Sequence, residues 1–256
     1  MSDFEQVRVE RDPERGVAWV TLQNPEKRNA LNADLVSELK AALGRLDGDE
    51  EVRVVGLRGA GPDFCAGADL EEVGASIDEG VLATLADADA LGELFLLLRR
   101  LSPPVVAAVH GRALAGGCGL ATACDLVVAA EDAEFGYPEV RIGFVPAMVM
   151  ALLRRSLGEK QAFELAGLGE RFDAGTARSY GLVCRLFPTD GFHTSADAFL
   201  GEVAERSASA LSLTKRLLYQ LDGTSFEAGV RAGAEVNALA RFTDDCRAGI
   251  ARFLDR

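Results

Sequence analysis

Four short runs of apolar and β-branched residues set the framework within which the rest of the chain must fold: Val17–Leu22 (VAWVTL), Val52–Leu57 (VRVVGL), Pro104–Val109 (PVVAAV) and Asp125–Ala129 (DLVVA). Each has the length and composition of a buried strand. Between the first two, Asn32–Leu46 places apolar residues at helical spacing behind a capping Asn. A Gly-rich turn and helix, Arg112–Cys124, separates the last two. Strand and helix alternate, which is the pattern of an α/β domain. Glu71–Asp89 is acidic, rich in small residues and punctuated by glycine; it reads as a mobile loop, a candidate lid, leading into a helix that ends near Leu101. After a strand at Val183–Phe187 the pattern changes. Ser195–Arg206, Leu211–Leu221, Phe226–Arg241 and Thr243–Leu254 read as helices with no strand between them. The division expected is therefore an α/β core over residues 1–190 and a helical region over 191–256. The last segment, Phe242–Arg256, carries Phe242, Ile250, Phe253 and Leu254 at helical spacing, an apolar face that its own domain or another subunit must cover.

Charge and composition remove several function classes. A formal net charge of −13 disfavours an extended nucleic-acid surface, which needs Lys and Arg to displace counterions. Met1–Glu10 is acidic and lacks the apolar stretch of a signal peptide, and no apolar run approaches the roughly 20 residues of a membrane span. The expectation is a soluble, cytoplasmic protein. The five cysteines (Cys65, Cys118, Cys124, Cys184, Cys246) sit among apolar or small neighbours and read as reduced, buried residues. The two histidines, His110 and His193, have no second ligand at a metal-binding spacing, so neither a metal site nor a Ser-His-Asp triad is expected.

Three segments put glycine or a carboxylate where the backbone turns after a strand. In Arg58–Leu70 (RGAGPDFCAGADL), Gly59, Gly61 and Gly67 permit tight turns and a close approach to a ligand, with the N–H of Ala68 free to face outward. In His110–Asp125 (HGRALAGGCGLATACD), Gly116 and Gly117 open a helix whose first turn has unpaired N–H groups and a partial positive charge. Such a start suits an oxyanion. The alternatives are close helix packing or a nucleotide phosphate loop, though the G-x-G-x-x-G spacing is absent and no Lys-Ser or Lys-Thr pair follows. In Ala133–Pro146 (AEFGYPEVRIGFVP), Pro138 fixes the chain just before Glu139, and the neighbours are apolar. A carboxylate held there is pushed toward its neutral form, which suits proton transfer near neutrality. Taken alone, Glu139 reads first as a surface group or a partner for Arg141, and only second as a proton-transfer group.

Together these segments resemble the crotonase family, the enoyl-CoA hydratase/isomerase superfamily, along essentially the whole chain. The matching stretches are NPEKRNALN at 24–32, FCAGADL at 64–70, AGGCGLATACDLVVA at 115–129, FGYPEVRIGFVP at 135–146 and FTDDCRAGIARFLD at 242–255. The resemblance implies a spiral of ββα units with C-terminal helices that assemble trimers, often paired into hexamers. It implies an acyl-CoA thioester as substrate, with CoA entering as part of that substrate and no separate cofactor. The oxyanion hole then falls on the N–H groups of Ala68 and Gly116, with Glu139 as the acid-base group. CoA lies against Ala66, Asp69 and Leu70 and beside Lys27, Arg28 and Ala30.

The chain departs from that pattern at Gly119, where family hydratases commonly have a first catalytic glutamate. Hydration of a short or branched 2-enoyl-CoA is placed first, because a bacterial branch classed with methylglutaconyl-CoA hydratases also has Gly there. Isomerisation of a 3-enoyl-CoA by one Glu, and a non-catalytic acyl-CoA-binding homologue, are the alternatives. Asp69 is a candidate substitute carboxylate or a loop-bonding group, and Lys215 a candidate contact for CoA phosphates or a solvated lysine. Ala248 replaces the Glu usual before Gly249. Met148, Met150 and the 71–89 segment are expected to set the width of the acyl pocket.

Overall fold

The computed structural model describes residues 4–255. Met1–Asp3 and Arg256, on which parts of the N-terminal and C-terminal readings fall, lie outside the described residues. The chain begins with β1 (Val7–Asp12), β2 (Val17–Leu22), a 3-10 turn at Pro25–Lys27, α1 (Ala33–Asp47) and β3 (Val54–Gly59). It continues through α2 (Leu70–Glu79), α3 (Val81–Arg100), β4 (Val105–Val109), β5 (Arg112–Leu114), α4 (Gly116–Ala123), β6 (Leu126–Ala130) and β7 (Glu134–Gly136). A 3-10 helix at Pro138–Ile142 leads to α5 (Ala147–Ser156), α6 (Glu159–Leu168), β8 (Arg171–Asp173), α7 (Ala174–Tyr180) and β9 (Arg185–Phe187). Four helices end the chain: α8 (Phe192–Ala204), α9 (Ala208–Gln220), α10 (Phe226–Ala240) and α11 (Asp244–Leu254).

Six strands form one sheet in the order β1-β2-β3-β4-β6-β9, parallel except for the edge strand β1. The continuous apolar runs are explained by that position: β2 and β4 are buried along their whole length, as central parallel strands with both faces covered must be. A second, small sheet, β5-β7-β8, pairs β5 with β7 in parallel. Asn32 caps α1 through its side chain, which accepts the Leu35 N–H at 2.7 Å. The strand expected from residue 52 begins two residues later, because the Val52 N–H is taken by a turn onto the Asp49 carbonyl.

The expected loop at 71–89 is instead two helices. Asp69 caps α2, and Gly80, at φ 97°, breaks the path between α2 and α3. No residue of α2 is buried, and its three apolar residues at helical spacing, Leu70, Val73 and Ile77, are set among acidic and small residues that read as a loop.

The C-terminal helices differ in how they attach. Helix α8 buries Phe192, Ala196 and Leu200 on the main sheet, and Leu200 comes close enough to β3 that only glycine fits at Gly56. Lys215 of α9 corrects the sequence reading. It points inward, 6% exposed, and its Nζ is 2.7 Å from Asp125 and donates to the carbonyls of Leu98 (2.8 Å) and Pro103 (3.1 Å). A buried ammonium needs such partners, so this lysine anchors α9 and is not available to a CoA phosphate. Helices α10 and α11 bury no residue. The five cysteines are free, with Cys65, Cys118 and Cys124 buried. Among the described residues no helix is long and apolar enough to cross a membrane.

Candidate active site

The loop after β3 is held by a residue that composition does not single out. Asn29 is fully buried; its Nδ2 donates to the carbonyls of Ala60, Asp63 and Phe64, and its Oδ1 accepts the Asn24 N–H. Arg28 and Asn29 both lie in the left-handed region, φ 54° and 55°, which Asn tolerates better than most residues. The neighbouring Leu31 then bonds on both sides of Ala68: its N–H donates to the Gly67 carbonyl (2.7 Å) and its carbonyl accepts from Asp69 (3.1 Å). Ala68 is skipped. Its N–H has no backbone acceptor among the described residues.

Beside it stands the start of α4. Leu114 N donates to Cys65 O, and a Cβ at Gly117 would collide with the Cys65 carbonyl, so only glycine lets the helix start approach this loop. A Cβ at Gly67 would come within 3.3 Å of Gly116 N, and one at Gly116 within 3.8 Å of Ala68 N. The two N–H groups are therefore neighbours. Ala115, at φ 50°, turns the chain into the helix, a strained conformation for a residue other than glycine. Gly116 is the first residue of α4, and its N–H precedes the first helical bond, Gly119 N–H to Ala115 O.

Register brings the carboxylate to the same end. Leu114 of β5 pairs with Gly136 of β7, and Ala115 N–H donates to Gly136 O at 2.8 Å. Gly116 lies two residues past the end of β5 and Glu139 three past the end of the parallel β7. Glu139 is 8% exposed, and its Oε2 is buried without a hydrogen-bond partner. Burial raises its pKa above the ordinary carboxyl value, opposed by a backbone hydrogen bond. Arg141 is not a partner of Oε2, which has none among the described residues. Behind Glu139, the fully buried Tyr137 shares a 2.9 Å hydrogen bond with Thr122 of α4, tying the Glu139 segment to the helix that begins at Gly116.

Two cavities meet at Ala68 and Asp69. The smaller, about 300 Å³, is lined by Lys27, Arg28, Ala30 and Leu70. Of the residues that the resemblance places beside CoA, only Ala66 stays out of that lining; its N–H is bonded to Arg28 O. Lys27 bridges Asp69 and Glu71, both at 2.9 Å, and its pKa is raised first by the hydrogen bond to Asp69. Asp69 is lowered by the same bond and also caps α2 by accepting the Glu71 N–H. With both oxygens engaged, it is not positioned as a free base. The larger cavity, about 540 Å³, is mostly apolar, with Leu31, Val36, Val73, Leu91, Phe144 and Met148 in its walls. Met148 takes its expected place there and Met150 does not. Glu139 is in neither lining, but Phe144, whose N–H donates to Glu139 O at 3.0 Å, forms part of the larger one. A polar depression around Arg99, Arg155 and Asp222 shares no residue with Ala68, Gly116 or Glu139.

The departure at Gly119 has a structural counterpart. A Cβ there would lie 2.6 Å from Val149 Cγ2 and 3.1 Å from Phe95 Cζ, and both side chains are buried. The space in front of residue 119 is filled with hydrocarbon from α3 and α5. Asn29, Phe95 and Val149 were not picked out from sequence as site residues; Asn29 lay inside a quoted motif, while the other two carried only an apolar signal.

The family model described as enoyl-CoA hydratase/isomerase matches residues 12–256. A protein of Thermus thermophilus assigned as an enoyl-CoA hydratase is 42% identical over 240 residues, 94% of this chain and 95% of its own. The 2,3-dehydroadipyl-CoA hydratase of Escherichia coli is 35% identical over 241 residues, covering 94% of this chain and 92% of its own. An enoyl-CoA hydratase crystal structure from Mycobacterium smegmatis superposes with a TM-score of 0.93 at 32% identity, over 98% of this chain and 96% of that one. The chain belongs to the enoyl-CoA hydratase/isomerase family and has the crotonase fold.

Proposed function

We propose that this enzyme hydrates a 2-enoyl-CoA, with the thioester oxygen held by the N–H groups of Ala68 and Gly116 and Glu139 as its sole acid-base carboxylate. The observation that carries this is Glu139 itself: buried, with Oε2 unpartnered and its pKa raised, beyond the end of β7 as Gly116 is beyond the end of its parallel partner β5. Glu139 takes a proton from water as the water oxygen bonds to C3. The double-bond electrons move toward the thioester, giving an enolate that the two N–H groups stabilise. Glu139 then returns the proton to C2, leaving H at C2 and OH at C3. One carboxylate serves both transfers, because the proton it removes is the one it delivers. The thioester at Ala68 would direct its CoA half into the cavity lined by Lys27, Arg28, Ala30 and Leu70, and its acyl half into the larger cavity. CoA comes with the substrate, and no step calls on a resident cofactor. Relatives named as hydratases support hydration as the reaction.

One observation favours a second reading. The packed wall at Gly119 leaves no room for a second carboxylate, and a single base that moves a proton from C2 to C4 would make the protein a 3-enoyl-CoA isomerase. Turnover of both substrate types in water enriched in heavy oxygen separates the two: hydration places the label in product, isomerisation does not. Glu139→Gln abolishes turnover in either case. Equal, negligible turnover by wild type and variant on both substrate types, with thioester binding intact, would leave only an acyl-CoA-binding homologue.

We also propose that the helical region over 191–256 assembles the chain into trimers or hexamers in the cytoplasm. The support is the exposure of Phe226, Phe242, Phe253 and Leu254 on or beside α10 and α11, each at least 71% exposed. A sedimentation mass equal to one chain would overturn it.

A further inference from the structure

Resting on the acyl-CoA reading above, we infer that the larger cavity selects a straight, methyl-ended acyl chain of medium length, about eight to ten carbons, over the short or branched group expected from sequence.

Three helices form its walls, and each gives the depth independently. On α1 the lining runs from Ala33, near the thioester end, to Lys40; seven residues at 1.5 Å each make about 10 Å. On α2 it runs from the cap Asp69 to Ile77, about 12 Å by the same rise. On α3 it runs from Leu91 back to Thr84, again about 10 Å. The near ends coincide: a Cβ at Gly116 would meet Leu31 at 3.4 Å and Leu91 at 3.7 Å, and Glu72 on α2 accepts the Ala33 N–H of α1 at 2.8 Å. The far ends are joined too, since Thr84 Oγ1 donates to Ser76 O at 3.0 Å. An extended chain advances about 1.25 Å per carbon, given a C–C bond of about 1.5 Å. The trough therefore matches roughly eight to ten carbons.

The wall chemistry sets the class of chain. Val36, Val73 and Ile77 line its length, and the volume of about 540 Å³ lies within the usual range of ligand sites. Among the described residues Lys40 is the single cation of the lining, at its far end, against the carboxylates of Asp69 and Glu72 nearer the thioester end and Asp87 midway along the α3 wall. The trough as a whole is lined by one cation and three carboxylates and offers no net positive charge to a terminal carboxylate, so a methyl end fits and a diacid does not.

The test is kcat/KM of the intact enzyme on 2-enoyl-CoA thioesters from about four to about fourteen carbons, with methyl-branched and terminally carboxylated members. The expected profile rises with length by up to about fourfold per methylene, the equivalent of the 0.8 kcal/mol of a buried CH₂, and levels off at about eight to ten carbons. Val73→Trp, which fills the trough partway, should lower the ratio of the eight-carbon to the four-carbon kcat/KM at least tenfold. A ratio is read so that a general loss of activity does not count. Calorimetry with saturated acyl-CoA thioesters gives the same length dependence without chemistry. If four-carbon or branched substrates are best and longer ones fall away, the inference is overturned while the hydratase reading stands. If no thioester turns over yet binding rises with length, the hydratase reading fails and the cavity assignment stands. If binding is flat with chain length, the inference fails.

Discussion

Replacing Gly116 with alanine adds one methyl group at the point where the two candidate oxyanion donors meet. Its Cβ would lie 3.4 Å from Leu31 Cδ1, 3.7 Å from Leu91 Cδ2 and 3.8 Å from Ala68 N. Leu31 and Leu91 both line the larger cavity, so the methyl enters the space proposed for the thioester and strikes no backbone. The protein should tolerate it: the leucine contacts are near ordinary van der Waals distance, Gly116 is not in the left-handed region, and Gly→Ala in a helix gains up to about 1 kcal/mol. A gain of that size raises the melting temperature by about 2–4 °C in a chain this long. Catalysis should not tolerate it. A thioester oxygen must sit about 2.9 Å from both nitrogens to use both donors, and the methyl takes up that approach. Losing one such donor elsewhere costs about 10²–10³ in rate, about 2.7–4 kcal/mol. Gly116→Ala is therefore expected to keep or raise the melting temperature while kcat/KM on a 2-enoyl thioester falls by about two to three orders of magnitude. A variant with normal melting and kcat/KM within about fivefold of wild type would refute the assignment of Gly116 to the oxyanion site.

Glu139→Gln should separate stability from activity in a pH-dependent way. Burial favours the neutral acid, so the folded-state pKa is raised, and wild type loses stability as pH climbs through that value. The variant has no charge to bury; its denaturation midpoint should match wild type below the ordinary value of 4.5 and exceed it at neutral pH. A constant offset across pH would contradict this. Gly119→Ala should cost about 0–2 kcal/mol, an overpacking penalty of about 1–3 kcal/mol against the stiff Val149 less a helix-propensity gain. Adding Val149→Ala should recover part of it, seen as a non-additive urea double-mutant cycle; strict additivity would mean the two positions do not touch. Lys215→Met should destabilise by about 3–5 kcal/mol, because Asp125 loses a buried partner. Its KM for thioester should stay at the wild-type value, whereas a rise would revive a CoA contact.

How much of this was legible in the sequence depends on whether a residue's partners are near it in the chain. The four central strands announce themselves because both faces are covered and their residues are mostly apolar and β-branched. The edge strand β1, VRVERD, has one wet face and reads as a charged stretch, and β5, β7 and β8 are three residues each, too short for a period. Helix α2 reads as a loop because acidic and small residues outnumber its apolar positions Leu70, Val73 and Ile77. The positions of Ala68, Gly116 and Glu139 could be anticipated because the glycines and the proline that shape their backbone are adjacent in sequence. The direction of Lys215 could not, as its partners Leu98, Pro103 and Asp125 lie about 90 to 117 residues away.

Gly119 shows where that distinction matters for function. On sequence alone it is a missing carboxylate, and restoring Glu there looks like a direct test of lost hydratase chemistry. In the fold, the position is closed by Phe95 from α3 and Val149 from α5. A glutamate introduced there needs a Cβ where Val149 already stands, and its charge would be desolvated against Phe95. It would also strain α4, whose first residue supplies one of the two proposed oxyanion donors. Gly119→Glu should therefore lower activity as well as stability, and it cannot report on whether a second carboxylate would help. That question requires opening the wall as well, with Gly119→Glu combined with Val149→Ala and a smaller residue at Phe95. The number of carboxylates at this site is set jointly by α3, α4 and α5, and a change at one position alone tests packing before it tests chemistry.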